Sequence, residues 1–135
     1  MLNDITTDLA DPPRYERAEE RPGDFDRQTA AEHRKTYPGL TGLILAKSPE
    51  AAWRQALAIA QARGWRIVGG GEAELRIEAV AVTRLLRYKD DVVIRIRPHD
   101  EGALVDMRSK SRVGKGDFGA NAKRIKAFLR DLGAI

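Results

Sequence analysis

At 135 residues, with 42% hydrophobic and 33% charged side chains, the chain has the composition of one soluble globular domain, too short for separate cofactor and substrate lobes. It contains no cysteine, which excludes a disulfide framework, a thiolate zinc site and a cysteine nucleophile. The two histidines, His33 and His99, speak against a His-rich metal centre, so neither a metal nor another cofactor is expected. The net charge of +4 is unevenly spread: residues 1–40 hold 6 basic and 9 acidic side chains (net −3), and residues 41–135 hold 18 and 11 (net +7).

The arm comes first. Residues 1–40 carry Pro12, Pro13, Pro22 and Pro38 among many charges and few large apolar residues, which predicts an extended N-terminal arm. Tyr15, Phe25 and Tyr37 are spaced to pin it at intervals onto a single α+β domain over 41–135. No apolar run approaches the roughly 20 residues of a membrane span, and Met1 to Ala10 is unlike a signal peptide, so the chain as given is expected to be soluble.

In the domain, Leu43, Ile44 and Leu45 precede a helix start in which Ser48 is the N-cap, Pro49 the first helical residue and Glu50 a first-turn acid. Trp53, Ala56, Leu57, Ile59 and Ala60 form its apolar stripe, and Gly64 ends it. Two strands follow, Trp65 to Val68 and Glu74 to Val82, with Gly69, Gly70 and Gly71 read as the turn between them. Tyr88 to Asp91 reads as a polar turn into a strand from Val92 to Arg97, with Val92, Ile94 and Ile96 on the inner face. Pro98 to Gly102 is a turn by composition, and Ala103 to Lys110 alternates again. These strands bring Arg76, Glu78, Arg95, Arg97, Asp106 and Arg108 to one sheet face, either as a cross-strand charge ladder or as a basic floor for an anion.

The last element is a helix from about Asp117 to Leu132, apolar along Ile125, Phe128, Leu129 and Leu132 and basic along Lys123, Lys126 and Arg130. Residues 108–130 hold eight cations against the single Asp117, a balance that suits a phosphate or carboxylate ligand, an anionic lipid headgroup, or simply a solvated helix face. Gly114, Gly116 and Gly119 satisfy G-x-G-x-x-G, but the chain ends at Ile135 without a second parallel strand and its acidic residue, which rules out a dinucleotide fold.

The run Arg108-Ser109-Lys110-Ser111-Arg112-Val113-Gly114, followed by Asp117-Phe118-Gly119-Ala120-Asn121-Ala122-Lys123-Arg124-Ile125, resembles the signature R-S-x-S-R-x-G-x-x-D-x-G-x-N-x-x-R-I of the domain-of-unknown-function family 1499. The resemblance extends back to Ser48, about the last 95 residues, and Asn3 to Asp8 with Asp11-Pro12-Pro13 resembles a bacterial subgroup in which hydrophobic segments precede the arm. It supplies no activity and no catalytic residues. It implies a domain that is membrane-anchored or exported in many members, hence a membrane tether in a longer protein and a periplasmic or membrane-facing location. It also implies a candidate ligand-binding set of Arg108, Ser109, Ser111, Arg112, Gly114, Asp117, Gly119, Asn121 and Arg124.

Physical chemistry gives that set two readings. Ser109 and Ser111 face the same way at a strand end, and a bend at Gly114 would let Arg112, Asn121 and Arg124 converge on an anion at the helix N-terminus. Alternatively the residues form a clasp, with Arg108 or Arg112 paired to Asp117 and the Asn121 amide tying down the loop. The expected architecture is an antiparallel sheet of about four strands with two helices on one face. The expected function is a non-catalytic ligand or anion-binding module at a membrane surface; the alternative is a structural or protein-interaction domain. A small hydrolase built on Ser109 or Ser111 is the weaker reading, since His99 lies in a distant turn, and a chain with 6% aromatic residues offers no evident stacking platform for nucleic acid.

Overall fold

A computed structural model describes residues 1–19 and 24–135; Pro22, expected to belong to the arm, lies outside the described residues. The described chain contains β1 (Asp4–Thr6), α1 (Arg27–Thr36), β2 (Leu43–Leu45), α2 (Pro49–Ala62), β3 (Arg66–Gly71), β4 (Arg76–Val82), β5 (Lys89–His99), β6 (Gly102–Ser111) and α3 (Ala120–Gly133). The strands form one antiparallel sheet in the order β1-β6-β5-β4-β3. Two short strands share the outer edge of β6: β2 pairs with Ala103 to Val105 and β1 with Arg108 to Lys110. The sheet thus has six strands rather than about four, because β1 and β2 are three-residue strands too short to show an alternating pattern.

Alternation along the strands sorts the side chains into two faces. One face presents Ile77, Ala81, Val92, Ile94, Ile96, Val105 and Met107, all buried under α2 and α3. The stripe of α2 buries Ala52, Ala56 and Ala60 completely, and these small residues let the helix backbone approach the sheet. Ser48 Oγ accepts the Ala51 N–H at 3.1 Å with Pro49 at the first helical position, as the cap residues foretold. From α3, Ile125, Phe128, Leu129 and Leu132 complete this core. Trp65 stacks on Phe128 at 5.2 Å between ring centroids, beneath the Arg63 guanidinium.

The opposite face is polar and is covered by the arm. Register places Arg76 opposite Arg95 and Arg95 opposite Asp106, as alternation predicted. Cations crowded on one face need counter-charges, and the acidic arm supplies them. Asp8 pairs with Arg95 at 3.0 Å and with Arg97 at 3.4 Å. Buried Glu78 accepts the consecutive N–H groups of Glu16, Arg17 and Ala18 at 2.7, 2.9 and 3.1 Å. The division of charge between arm and domain is thereby explained, and the cross-strand ladder, in which Asp106 meets Arg97 at 3.2 Å and Arg95 at 3.6 Å, is extended by arm contacts. The arm is not simply extended: it includes β1 and the helix α1, capped by Asp26, whose carboxylate accepts the Thr29 N–H at 2.8 Å.

Three local expectations change. The triple glycine lies within β3, and the turn is made by the residues after it, where Leu75 adopts φ 54°. Gly70 has φ 82°, and a Cβ there would stand 2.2 Å from the Arg76 carbonyl oxygen. Gly70→Ala is therefore expected to lower stability by about 2 kcal/mol or more, measured by urea unfolding. The second change concerns Lys89 to Asp91, which belong to β5 rather than to a polar turn, with Asp90 and Asp91 both buried. Finally, α3 begins at Ala120 with Gly119 in the N-cap position at φ 81°, so Asp117 precedes the cap.

Candidate functional site

The signature residues divide between the two faces of β6. Ser109 and Ser111 point to the helix side, where α3 presents Asn121 and Arg124 one turn apart. Asn121 is wholly buried and has partners on both sides of its amide. Its Oδ1 accepts from Ser109 Oγ at 2.6 Å and from Arg124 Nη1 at 3.0 Å. Its Nδ2 donates to Ser111 Oγ at 2.9 Å and to Asp117 Oδ2 at 2.8 Å. Arg124 Nη1 also meets Asp90 Oδ2 at 2.8 Å. Burial pushes the Asp90 carboxyl above its usual range, against the opposing pull of Arg124 and of the Ser111 hydroxyl.

Asp117 occupies the place at the start of α3 where an external anion was anticipated. Its carboxylate accepts the Gly119 N–H at 2.8 Å and the Asn121 N–H at 3.1 Å. Gly119 and Gly114, at φ 81° and 91°, permit the loop to turn into this arrangement. Asn3 of the arm donates to the Gly114 carbonyl, so the loop is held from both sides.

On the arm side, Arg108 is 2% exposed and reaches back to the arm. Its Nε and Nη2 meet Asp4 Oδ1 and Oδ2 at 3.0 and 2.8 Å, and Nη1 donates to the Pro13 carbonyl at 3.2 Å. The guanidinium lies between the rings of Tyr15 and Phe25, at 4.8 and 4.6 Å. Two of the three aromatics predicted to pin the arm, Tyr15 and Phe25, do so through this cation, whereas Tyr37 packs against His33 and beneath Lys126. Burial raises the Asp4 carboxyl above its usual range, and Arg108 opposes the shift.

Arg112 differs from the other two signature arginines. Its side chain is 44% exposed, against 2% for Arg108 and 14% for Arg124. Asp91 holds it through Nε at 3.0 to 3.1 Å and through Nη2 at 2.8 Å, and these bonds raise its pKa. The anticipated pairing of Arg108 or Arg112 with Asp117 does not occur, because β6 carries both arginines on the face away from α3. Arg112 likewise does not converge with Asn121 and Arg124. It opens instead onto a cleft of about 440 Å³ that also contains Arg17, Arg66 and Lys89.

Sequence reasoning missed the acidic partners Asp4, Asp90 and Asp91. Extending the period-2 pattern of β5 backwards would have placed Asp90 with Val92 on the helix side and Asp91 with Val93 on the arm side. It also passed over a second cleft, of about 640 Å³, at the same end of the sheet. The loops after β4 and after β6 form its walls, with Leu85, Leu86, Tyr88, Val113 and Phe118 exposed around a floor that includes Asp90 and Ser111. Among the described residues, no group of three or more His, Asp or Glu side chains is placed to hold a metal ion, and no helix is long and apolar enough to cross a membrane.

The family described as "Protein of unknown function (DUF1499)" matches residues 4–132, so the similarity takes in the arm as well as the last 95 residues. Among solved structures, the crystal structure of TTHA0849 from Thermus thermophilus is similar over 70% of this chain and 86% of its own, at 13% identity and a TM-score of 0.34. No curated protein matches the chain.

Proposed function

The chain belongs to the family of proteins of unknown function DUF1499, and from that premise we propose that it is a non-catalytic anion-binding module whose ligand sits in the cleft at Arg112. The observation that carries this reading is the difference among the signature arginines. Arg108 and Arg124 are spent on internal carboxylates, whereas Arg112 is held in place by Asp91 and still half open to a cleft with three more cations. The Asp91 contacts use Nε and Nη2; Nη1 is not engaged by a described residue. A guanidinium already oriented by a buried carboxylate loses little freedom on binding a phosphate or carboxylate group. Glu78, at the back of the cleft, is neutralised by Arg76 and by three arm N–H groups, which limits its repulsion of an anion.

The remaining signature residues favour the second reading, a structural domain, for themselves: Arg108, Ser109, Asp117, Asn121 and Arg124 act as a clasp that fixes the two loops and the arm. The hydrolase reading has no geometric support. Ser109 Oγ gives its proton to Asn121, and His99 lies at the far end of the β5–β6 hairpin, roughly 30 Å along the strand from Ser111.

The test is the melting midpoint of the full chain titrated with inorganic phosphate, pyrophosphate, citrate and glycerol phosphate, with Arg66→Ala and Lys89→Ala alongside. Both altered residues are exposed, so the fold should tolerate their loss. Binding to the native state raises stability by about 2.7 kcal/mol at a ligand concentration of about 100 times Kd. At least one anion should raise the midpoint of the wild type and have a smaller effect on each variant. A wild type unmoved by every anion, or variants that respond equally, would leave only the clasp.

A further inference from the structure

The apolar side chains around the second cleft have no role in the fold or in the anion cleft. Leu85 is 90% exposed, Leu86 64%, Val113 59%, and Phe118 is fully exposed; Tyr88 is half exposed. They occupy two loops at one end of the sheet, where β4 turns into β5 and where β6 leads to α3. Single exposed apolar residues are ordinary on protein surfaces; five large ones around one cleft are not.

Backbone conformation adds a second, independent observation. Phe118 stands at φ 53° and Arg87 at φ 58°, the left-handed region that disfavours side chains with a Cβ. At Phe118 this conformation belongs to the turn that sets the Asp117 carboxylate on the Gly119 and Asn121 N–H groups, and the same turn directs an otherwise unpacked aromatic ring into solvent.

Charge identifies the occupant. Residues 83–89 and 112–118 contain the exposed cations Arg84, Arg87, Lys89, Arg112 and Lys115 against one acid, Asp117, whose carboxylate is already bonded to backbone N–H groups of the α3 start. Apolar tips interleaved with long basic side chains match the boundary of an anionic bilayer: rings and leucines enter the acyl edge, and cations remain at the phosphate level. A protein interface of comparable size would deplete Lys at its centre and would require carboxylates opposite four cations, Arg112 being already paired with Asp91.

We infer that this end of the sheet docks on an anionic lipid bilayer, with Leu85, Leu86, Val113 and Phe118 as the inserting side chains. Asn121 and Asp117 fix the second loop, and the Arg124–Asp90 pair ties that network to the start of β5, where the first loop ends. This inference goes beyond the anion cleft: it rests on the apolar loop tips with Arg84, Arg87 and Lys115, and shares only Arg112 and Lys89 with that cleft.

The experiment uses the full chain with vesicles of phosphatidylcholine, with or without phosphatidylglycerol. Wild type should sediment with the phosphatidylglycerol vesicles only and be released by high salt. The double variant Leu86→Asp, Phe118→Asp should lose about tenfold or more in affinity, while Phe118→Gly should bind less well yet melt at a higher temperature, because it removes a strained backbone. Phe118→Trp should show a blue-shifted emission on phosphatidylglycerol vesicles. Arg66→Ala, which tests the anion cleft, should retain vesicle binding, so either reading can fail without the other. Three results would overturn the inference: no binding to phosphatidylglycerol vesicles, binding indifferent to the apolar variants, or self-association of the chain that Phe118→Asp abolishes without any vesicle binding.

Discussion

Replacing Asn121 with aspartate, a change of nearly identical shape, should lower stability by about 3 kcal/mol or more, close to the effect of Asn121→Ala. The buried amide donates to Ser111 and Asp117 through nitrogen and accepts from Ser109 and Arg124 through oxygen. A carboxylate keeps the accepting side and turns the donating side into an oxygen 2.8 Å from Asp117 Oδ2. Two like charges in a buried site cannot both remain ionised at low cost. The introduced carboxyl would thus have a folded-state pKa raised above its unfolded value. Its sign follows from linkage: the native state then holds more protons than the unfolded chain, so the deficit is full at neutral pH and shrinks as pH falls through the raised pKa. The protonated group regains a donor toward Asp117. Thermal melts should show a drop of about 10 °C or more at neutral pH, narrowing in mild acid, whereas the loss in Asn121→Ala should change less with pH. Equal, pH-independent losses in both variants would mean that packing, not the polar network, gives Asn121 its importance.

Arg108→Met should cost about 3 to 5 kcal/mol, because it leaves the Asp4 carboxylate buried without its cation. The same change removes the guanidinium from between Tyr15 and Phe25 and from the Pro13 carbonyl, three contacts that hold the arm. Limited trypsin digestion should then cut after Arg14 or Arg17 well before the domain is attacked. The double variant Asp4→Ala, Arg108→Met, with no unpaired charge left at that pair, should unfold closer to wild type than the single one. If the single variant keeps both its stability and its protected arm, the arm is held mainly by the Glu78 contacts instead.

Much of the domain was legible because its signals are local. The Ser48-Pro49 cap, the stripe on α3 and the alternation of β5 and β6 depend on residues a few positions apart, and each reads the same in isolation as in the fold. The strand face that gathers Arg95, Arg97, Asp106 and Arg108 followed from period alone. The triple glycine was misplaced for the same reason turned around: glycine marks a backbone need without saying which one. Here the need is the close approach of β3 to the Arg76 carbonyl, not a hairpin turn.

The site was only half legible. Its residue types were evident in the Arg108 to Arg124 run, but their partners Asp4, Asp90 and Asp91 lie roughly 20 to 100 positions away, and pairing across such separations is fixed by register. By itself the sequence determined the α+β class, the two faces of the sheet, the acidic arm and the basic domain, because composition and period need no neighbours. Only the tertiary structure decided which arginine stays open. Arg108, Arg112 and Arg124 have the same chemistry, and what separates them is the carboxylate that register and helix packing bring beside each and how much water remains around the pair.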